Sequence, residues 1–248
     1  KMNYKKFYSK YYDFVYDKKN YKKEVDFFFK LIKENTPKIK KVLELGSGTG
    51  NHGKYIKEKG YNIIGVEKSL SMIKLSNIKK NNFKIYNCDL KKFRIHQKFD
   101  LIISLFHVIN YMVKDSDINK FFETAKFHLN KGGYLLFDTW YTPAVKFRPP
   151  SKIKKIILSK KFKIIKNVSP KKTSNKTYNI KYNFKIFNRL FKIIDSFDET
   201  HKIRHFDIDE LILFAKKRRF EFISSHKLFA KSKPSKLDWG ATLIFKKI

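Results

Sequence analysis

The chain has one cysteine, Cys88, in 248 residues. That excludes a disulfide framework and a cysteine-built zinc site. It also suits a reducing compartment, so a cytoplasmic protein is expected. Long hydrophobic runs are missing too. The most apolar stretch, 101–113, is broken by Ser104, His107 and Asn110 and is too short to span a bilayer. No signal-peptide core stands near the start, and no membrane partner is expected. Arginine is scarce, at six of the 57 basic side chains. Arginine is the usual reader of phosphates and base edges. A formal charge of +35 carried mainly by lysines spread along the whole chain therefore does not indicate a specific nucleic-acid interface. It favours loose polyanion binding at low salt, and it would attract an anionic substrate such as one bearing a diphosphate. There is no internal repeat. No set of carboxylates and histidines has metal-ligand spacing, so no metal site is expected.

Aromatic residues are abundant: 25 Phe and 14 Tyr in a chain that is 42% hydrophobic. That is enough to build a core despite the charge. The length suits one domain, 1–248, with an inserted subdomain. The segment Tyr4–Lys33 reads as helical, with Val25, Phe28, Phe29 and Ile32 at helical spacing and Pro37 ending it. Strands and helices then alternate: strands at Lys41–Leu45, Asn62–Val66, Phe83–Asn87, Leu101–Leu105 and Tyr134–Asp138, helices at Asn51–Lys59, Leu70–Lys79 and Ile118–Leu129. This order builds an α/β fold with a parallel sheet covered on both faces. After Pro149-Pro150 the pattern changes to apolar/polar alternation, with Tyr178, Ile180, Tyr182 and Phe184 on one face. That predicts an antiparallel β insertion over about residues 150–206, with turns at Ser169-Pro170 and Thr173–Lys176. A helix over Asp207–Arg218, with Asp207 as its N-cap, and two final strands complete the chain.

The most informative segment is Val42-Leu43-Glu44-Leu45-Gly46-Ser47-Gly48-Thr49-Gly50-Asn51. A buried strand runs into three glycines at alternate positions, and a helix follows. Glycines there let the backbone turn sharply and let a ligand lie on bare amides beside a helix N-terminus. Gly48, Gly50 and Gly53 also satisfy the dinucleotide fingerprint. Glu44 separates the two readings, because a carboxylate two residues before the first glycine repels a pyrophosphate and attracts a cationic amino-acid moiety.

With that motif the chain resembles the class I S-adenosylmethionine-dependent methyltransferases, from about Lys41 to Asp138. The fold implied is a Rossmann-like, seven-stranded, mostly parallel sheet with a reversed final strand and helices on both faces. The resemblance implies that Glu44, Gly46, Ser47, Gly48 and Gly50 hold the cofactor S-adenosyl-L-methionine. Glu67 at the end of the second strand faces the ribose hydroxyls, followed by Lys68, Ser69 and Met72. Asp89 and Leu90, after the third strand, face the adenine, and Ser104 closes a fourth strand that borders the methyl group. Gly132-Gly133 matches the turn before the fifth strand.

The flanks, Tyr12–Tyr16 with Tyr21, Phe137–Val145 and Glu199–Phe206, are similar to small-molecule methyltransferases of sugar biosynthesis, including enzymes that dimethylate nucleotide-linked amino sugars. In that group a Tyr-rich N-terminal lid, here about 2–36 with Tyr12, Tyr16 and Tyr21, closes over the cofactor. The insertion shapes the substrate pocket and can pair two copies, so a homodimer is compatible with it. His107 and Tyr111 are the catalytic candidates. Asn110, Trp140, Tyr141, His201 and Arg204 are the candidates for holding the acceptor. Tyr111 stands near where that group tends to carry a histidine, and an amine and a hydroxyl acceptor both stay open. An RNA methyltransferase is the charge-prompted alternative. Against it, Ser104-Leu105-Phe106-His107 stands where base-amino methyltransferases carry an Asn/Asp-Pro-Pro-aromatic motif.

Overall fold

A computed structural model describes residues 6–34, 38–159 and 162–248, with side chains from residue 8 onward. Of the expected lid, residues 2–5 and 35–36 lie outside the described residues, as does the expected stop at Pro37. The expected single opening helix is two, α1 (Lys6–Val15) and α2 (Tyr21–Lys33). The break falls at Asn20, whose side chain accepts a hydrogen bond from the Lys23 N–H and caps α2.

The order that follows is β1 (Lys41–Leu45), α3 (Asn51–Glu58), β2 (Asn62–Glu67), α4 (Leu70–Ile78), β3 (Lys84–Asn87), β4 (Phe99–Ser104), α5 (Asp115–His128), β5 (Leu129–Trp140) and α6 (Thr142–Phe147). The insertion contributes β6 (Ile153–Leu158), β7 (Lys163–Lys172), β8 (Thr177–Phe187) and β9 (Ile193–Arg204). Then come α7 (Ile208–Lys216), β10 (Phe220–Lys227) and β11 (Gly240–Lys247). The main sheet has the order β10-β11-β5-β4-β1-β2-β3. β1 is parallel to both β2 and β4, while β11 runs antiparallel to β5 and β10 and is the reversed strand. The order reverses direction between β1 and β4, which opens a crevice at their C-terminal ends.

The central strands β1 and β4 are apolar on both faces because helices cover both. Val42, Leu101 and Ile103 face Val25, Phe28 and Phe29 of α2 and Ile56 of α3. Leu43, Leu45 and Ile102 face Phe121 and Phe122 of α5 and Leu211 and Ala215 of α7. Residues 45 and 46 are thus where a fully buried strand breaks out onto the crevice.

The insertion is a four-stranded antiparallel sheet, β6-β7-β8-β9. The turn expected at Ser169-Pro170 is absent, because β7 continues through it, pairing Pro170 with Ile180. The β6 partner ends at Val168, so Pro170 lies where β7 has a neighbour on one side only, and a missing N–H costs little there. Asp207 occupies the N-cap position of α7 but its side chain makes no capping bond. Helix α1 lies across the insertion. Tyr8 and Tyr11 are buried with Ile164, Phe184 and Ile186, and Tyr11 and Lys10 both bond to Asp195 on β9. On its other side α1 meets α4 through Ser9 and Ser71 hydroxyls 2.8 Å apart. One amphipathic helix therefore joins the insertion to the crevice.

Candidate active site

The crevice holds a cavity of about 440 Å³ walled by the loop after β1, the ends of β2 and β3, the segment after β4, helix α1 and strand β9. The loop is held in place by two hydrogen bonds, Gly46 N–H and Ser47 N–H to the Val66 carbonyl at 2.8 and 3.1 Å. Gly46 has φ +80°, and a Cβ there would meet the Val108 methyls at 2.7 Å. Gly48 has φ +54°, and a Cβ there would meet no protein atom within 4 Å. Its backbone is bare toward the cavity, the arrangement a ligand lying on amides requires. Gly50 does not line the cavity. It packs against Ser76 and Asn81, and Gly53 packs on Phe83, so the spacing that mimics a dinucleotide fingerprint is a packing requirement here.

Two carboxylates flank this loop. Glu67 accepts from Gly48 N–H at 2.9 Å and from Ser69 N–H at 2.7 Å, while burial pushes its carboxyl up. Glu44 is almost wholly inaccessible beneath the loop and does not itself line the cavity. Its carboxyl is pushed up to about 8 by burial and by the like charge of Glu67, against a Gly53 N–H bond that works the other way. Glu44 Oε2 and Ser47 Oγ are buried without a hydrogen-bond partner. Of these two, Ser47 stands on the cavity wall, where a donor-bearing ligand would satisfy its hydroxyl oxygen. His52, on the cavity wall, is 2.8 Å from Glu24 Oε2 through Nε2 and 3.7 Å from Glu44 Oε1 through Nδ1; burial holds its pKa down.

Lys68, Ser69 and Met72 continue the wall beyond Glu67, and Cys88, Asp89 and Leu90 form its far end. Burial disfavours the Asp89 charge, but the Lys91 N–H and the Lys68 ammonium outweigh it and hold the carboxyl below its ordinary value. Tyr12 and Tyr21 line the cavity. Tyr16 does not, but stands behind Tyr12 with ring centroids 4.8 Å apart. Asp13, between them, accepts from Thr49 Oγ1 at 2.8 Å and Asn51 Nδ2 at 3.1 Å and pairs with Lys79. Helix α1 is thus fastened to the glycine loop itself.

A family model described as a methyltransferase domain matches residues 15–225. The chain belongs to that family. Among its relatives, a dTDP-3-amino-3,4,6-trideoxy-alpha-D-glucopyranose N,N-dimethyltransferase from Streptomyces venezuelae is 23% identical over 125 residues, 50% of this chain and 53% of that protein. A dTDP-3-amino-3,6-dideoxy-alpha-D-glucopyranose N,N-dimethyltransferase from Streptomyces fradiae is 21% identical over 134 residues, 53% of this chain and 52% of that protein. The matched stretch spans about half the length of these curated relatives. Among solved structures, an S-adenosylmethionine-dependent methyltransferase from Clostridium acetobutylicum superposes with TM-score 0.84 at 21% identity, covering 98% of each chain. DesVI from Streptomyces venezuelae superposes with TM-score 0.85 at 16% identity, covering 97% of this chain and 98% of its own. The class I fold expected from the glycine motif is the fold observed.

The other side of the cavity departs further from expectation. Ser104 is fully buried and donates to the Leu45 carbonyl at 2.9 Å, tying β4 to β1 away from the cavity. After it, Phe106 and His107 both take left-handed backbone, φ +67° and +63°, strain that a bulky residue bears only when its surroundings impose it. His107 N–H donates to Asp138 Oδ1 at 2.9 Å and its Nδ1 lies 3.3 Å from Asp138 Oδ2. The kink turns Phe106, Val108 and Tyr111 onto the cavity and leaves His107 off it. Asn110 is buried, bonding the Arg204 carbonyl and accepting from Trp140 N–H, so it splices β5 to β9. Trp140, Tyr141 and Arg204 do not line the cavity. Trp140 packs edge-on to Trp239, Tyr141 bridges to Phe206, and the Arg204 guanidinium is committed to Asp115 and Glu210. His201 stands one layer behind the cavity, its Nδ1 2.8 Å from the Tyr111 hydroxyl. Residues not singled out in the sequence complete the wall: Thr49, Asn51 and His52 near the loop, and Thr200 and Lys202 on β9. Strand alternation pairs Thr200 with Lys202, but only the docking of β9 shows which face meets the cavity.

Proposed function

We propose that this chain is an S-adenosylmethionine-dependent methyltransferase that methylates the amino group of a nucleotide-linked sugar. The observation that carries the cofactor reading is the bare Gly48 backbone on a cavity that Glu67 lines, with Glu44 buried behind the loop. When bound, the cofactor supplies a methyl group on a sulfonium that departs as a neutral thioether. The residues fit it: Glu44 and Ser47 beneath a cationic amino-acid portion, Glu67 at the ribose, Asp89 and Leu90 at the base. The chain's own task is then to hold the acceptor in line, exclude water and take a proton. Phe106, Tyr12 and Val108 wall off water, and Tyr111 lines the cavity with its hydroxyl bonded to His201 behind it. Lys68, Lys91 and Lys202 around the same cavity suit an acceptor that carries phosphates. The names of the relatives support an amine acceptor. The homodimer, in this reading, pairs through the exposed apolar side chains Ile153, Ile156 and Leu158 of edge strand β6.

Isothermal titration with S-adenosylmethionine tests the cofactor, with a micromolar dissociation constant expected. Methyl transfer to a dTDP-linked 3-amino sugar, against the 3-hydroxy analogue and total RNA, tests the acceptor. Transfer only to the hydroxy analogue or to RNA would overturn the amine reading, and no cofactor binding would overturn the whole.

A further inference from the structure

Resting on the amine reading above, we propose that Tyr111, His201 and Glu199 form a buried proton relay leading away from the cavity, in which His201 and Glu199 are positioning residues acting through Tyr111. Tyr111 closes the turn after β4 and lines the cavity. Its hydroxyl is 2.8 Å from His201 Nδ1, and His201 Nε2 lies 3.3 Å from Glu199 Oε1, an ion-pair distance. Both members of the inner pair are buried, His201 at 2% exposure and Glu199 at 5%. They sit on the covered face of β9, and Thr200 and Lys202, the alternate residues, border the cavity.

The imidazole is held among rings. Tyr111, Tyr182 and Tyr8 surround it with centroids 5.6, 5.1 and 5.8 Å away. Such a wall keeps water from shorting the relay. Its two ends are also fixed relative to each other, because Asn110, next to Tyr111, bonds the Arg204 carbonyl three residues beyond His201. A histidine and a glutamate packed this deeply would be replaceable by apolar side chains if they only filled space, since buried ion pairs are poor stabilisers.

The chemistry follows from the order of atoms. The Glu199 carboxylate lies at ion-pair distance from Nε2 rather than in an aligned hydrogen bond, and its charge favours the tautomer with the proton there. Nδ1 is then a lone pair aimed at the Tyr111 O–H. An ammonium acceptor has no free pair with which to attack a methyl group. As its N–H proton moves to the Tyr111 oxygen, the Tyr111 proton moves to His201 Nδ1. The acceptor becomes a neutral amine with its electron pair free, Tyr111 remains a neutral phenol, and the charge ends on an imidazolium facing a carboxylate. No other donor or acceptor of electrons is needed.

The test uses Glu199→Gln and Tyr111→Phe, nearly isosteric changes, with His201→Gln as a third variant. The first readout needs no turnover: long-range proton–nitrogen correlation of the His201 ring in the full chain. Neutral His201 protonated at Nε2 is expected in the wild type, and loss of that tautomer preference in Glu199→Gln. The second is methyl transfer to the dTDP-linked 3-amino sugar across pH. Glu199→Gln should lower kcat about 10- to 100-fold with KM and cofactor affinity held, and move the acidic limb of the profile upward. Tyr111→Phe should lose at least as much. A proton found on Nδ1 in the wild type, or an unchanged kcat and pH profile in both variants, overturns the relay. If wild type transfers to no amine, the acceptor assignment and the catalytic role of the relay fall together, while the ring tautomer still decides whether the pair is ordered as described.

Discussion

The two walls of the cavity are built on different principles. The loop wall is local: β1, its glycine loop and β2, with the carboxylates Glu44 and Glu67, lie within residues 41–67, and their geometry is set by backbone hydrogen bonds such as Gly46 N–H and Ser47 N–H to Val66. The other wall is assembled from distant pieces: Tyr12 from α1, Phe106 and Tyr111 after β4, Thr200 and Lys202 from β9. A wall made of backbone tolerates few residue types and leaves a readable motif. A wall made of side chains from an inserted sheet tolerates many arrangements, so its members carry no signature of their own.

Breaking the first wall should have the largest effect. Gly46→Ala forces a Cβ into Val108 and a left-handed backbone onto alanine, so calorimetry should show cofactor affinity reduced at least 100-fold together with a lower Tm. Gly48→Ala sharpens the comparison. Its Cβ meets no protein atom, so thermal unfolding of the unliganded chain should shift by only about 1 kcal/mol for the backbone strain, while affinity falls as steeply as in Gly46→Ala. Equal affinity in Gly48→Ala and wild type would mean that the ligand does not lie on this loop.

A smaller effect is expected from Glu44. Its carboxyl, raised from 4.5 to about 8 by burial and by Glu67, contributes stability that is complete below pH 4.5 and lost as pH rises through 8. Glu44→Gln should remove that loss. The unliganded wild type should lose on the order of 1–3 kcal/mol more than the variant between pH 6 and pH 9, measured by urea unfolding. Parallel pH profiles would show that the carboxylate is not held under strain.

The smallest effect should come from His107, which the sequence offers as a base and the structure turns toward Asp138. His107→Gln should keep kcat within about threefold and leave the pH profile of methyl transfer unchanged. A large loss there would place the proton acceptor on β4 rather than on β9.

Much of this enzyme was legible along the chain. Strand β1 begins and ends where its apolar run does, α3 and α4 start at the expected residues, and Glu67 and Asp89 stand at the strand ends the glycine motif implies. Those readings rest on periodicity and on neighbours close in sequence. The residues singled out in the sequence that the structure places away from the cavity have one feature in common. Trp140, Tyr141, Asn110 and Arg204 have the chemistry of ligand-binding residues, and their partners, Trp239, Phe206 and Glu210 among them, come from other strands and helices. Whether a polar or aromatic group serves a ligand or the fold depends on what satisfies it, and those partners are remote in sequence.

The local order of residues was enough to determine a doubly covered parallel sheet, the place where its first strand opens, and the carboxyl group beneath the loop, because hydrophobic period, glycine conformation and the position of a glutamate are properties of short segments. Tertiary structure alone decided that Tyr111 meets His201 and that His107 does not face the cavity. Contacts across 90 residues depend on how α1, the kinked segment after β4 and the inserted sheet pack on one another, and that packing is a property of surfaces that exist only once each element has formed.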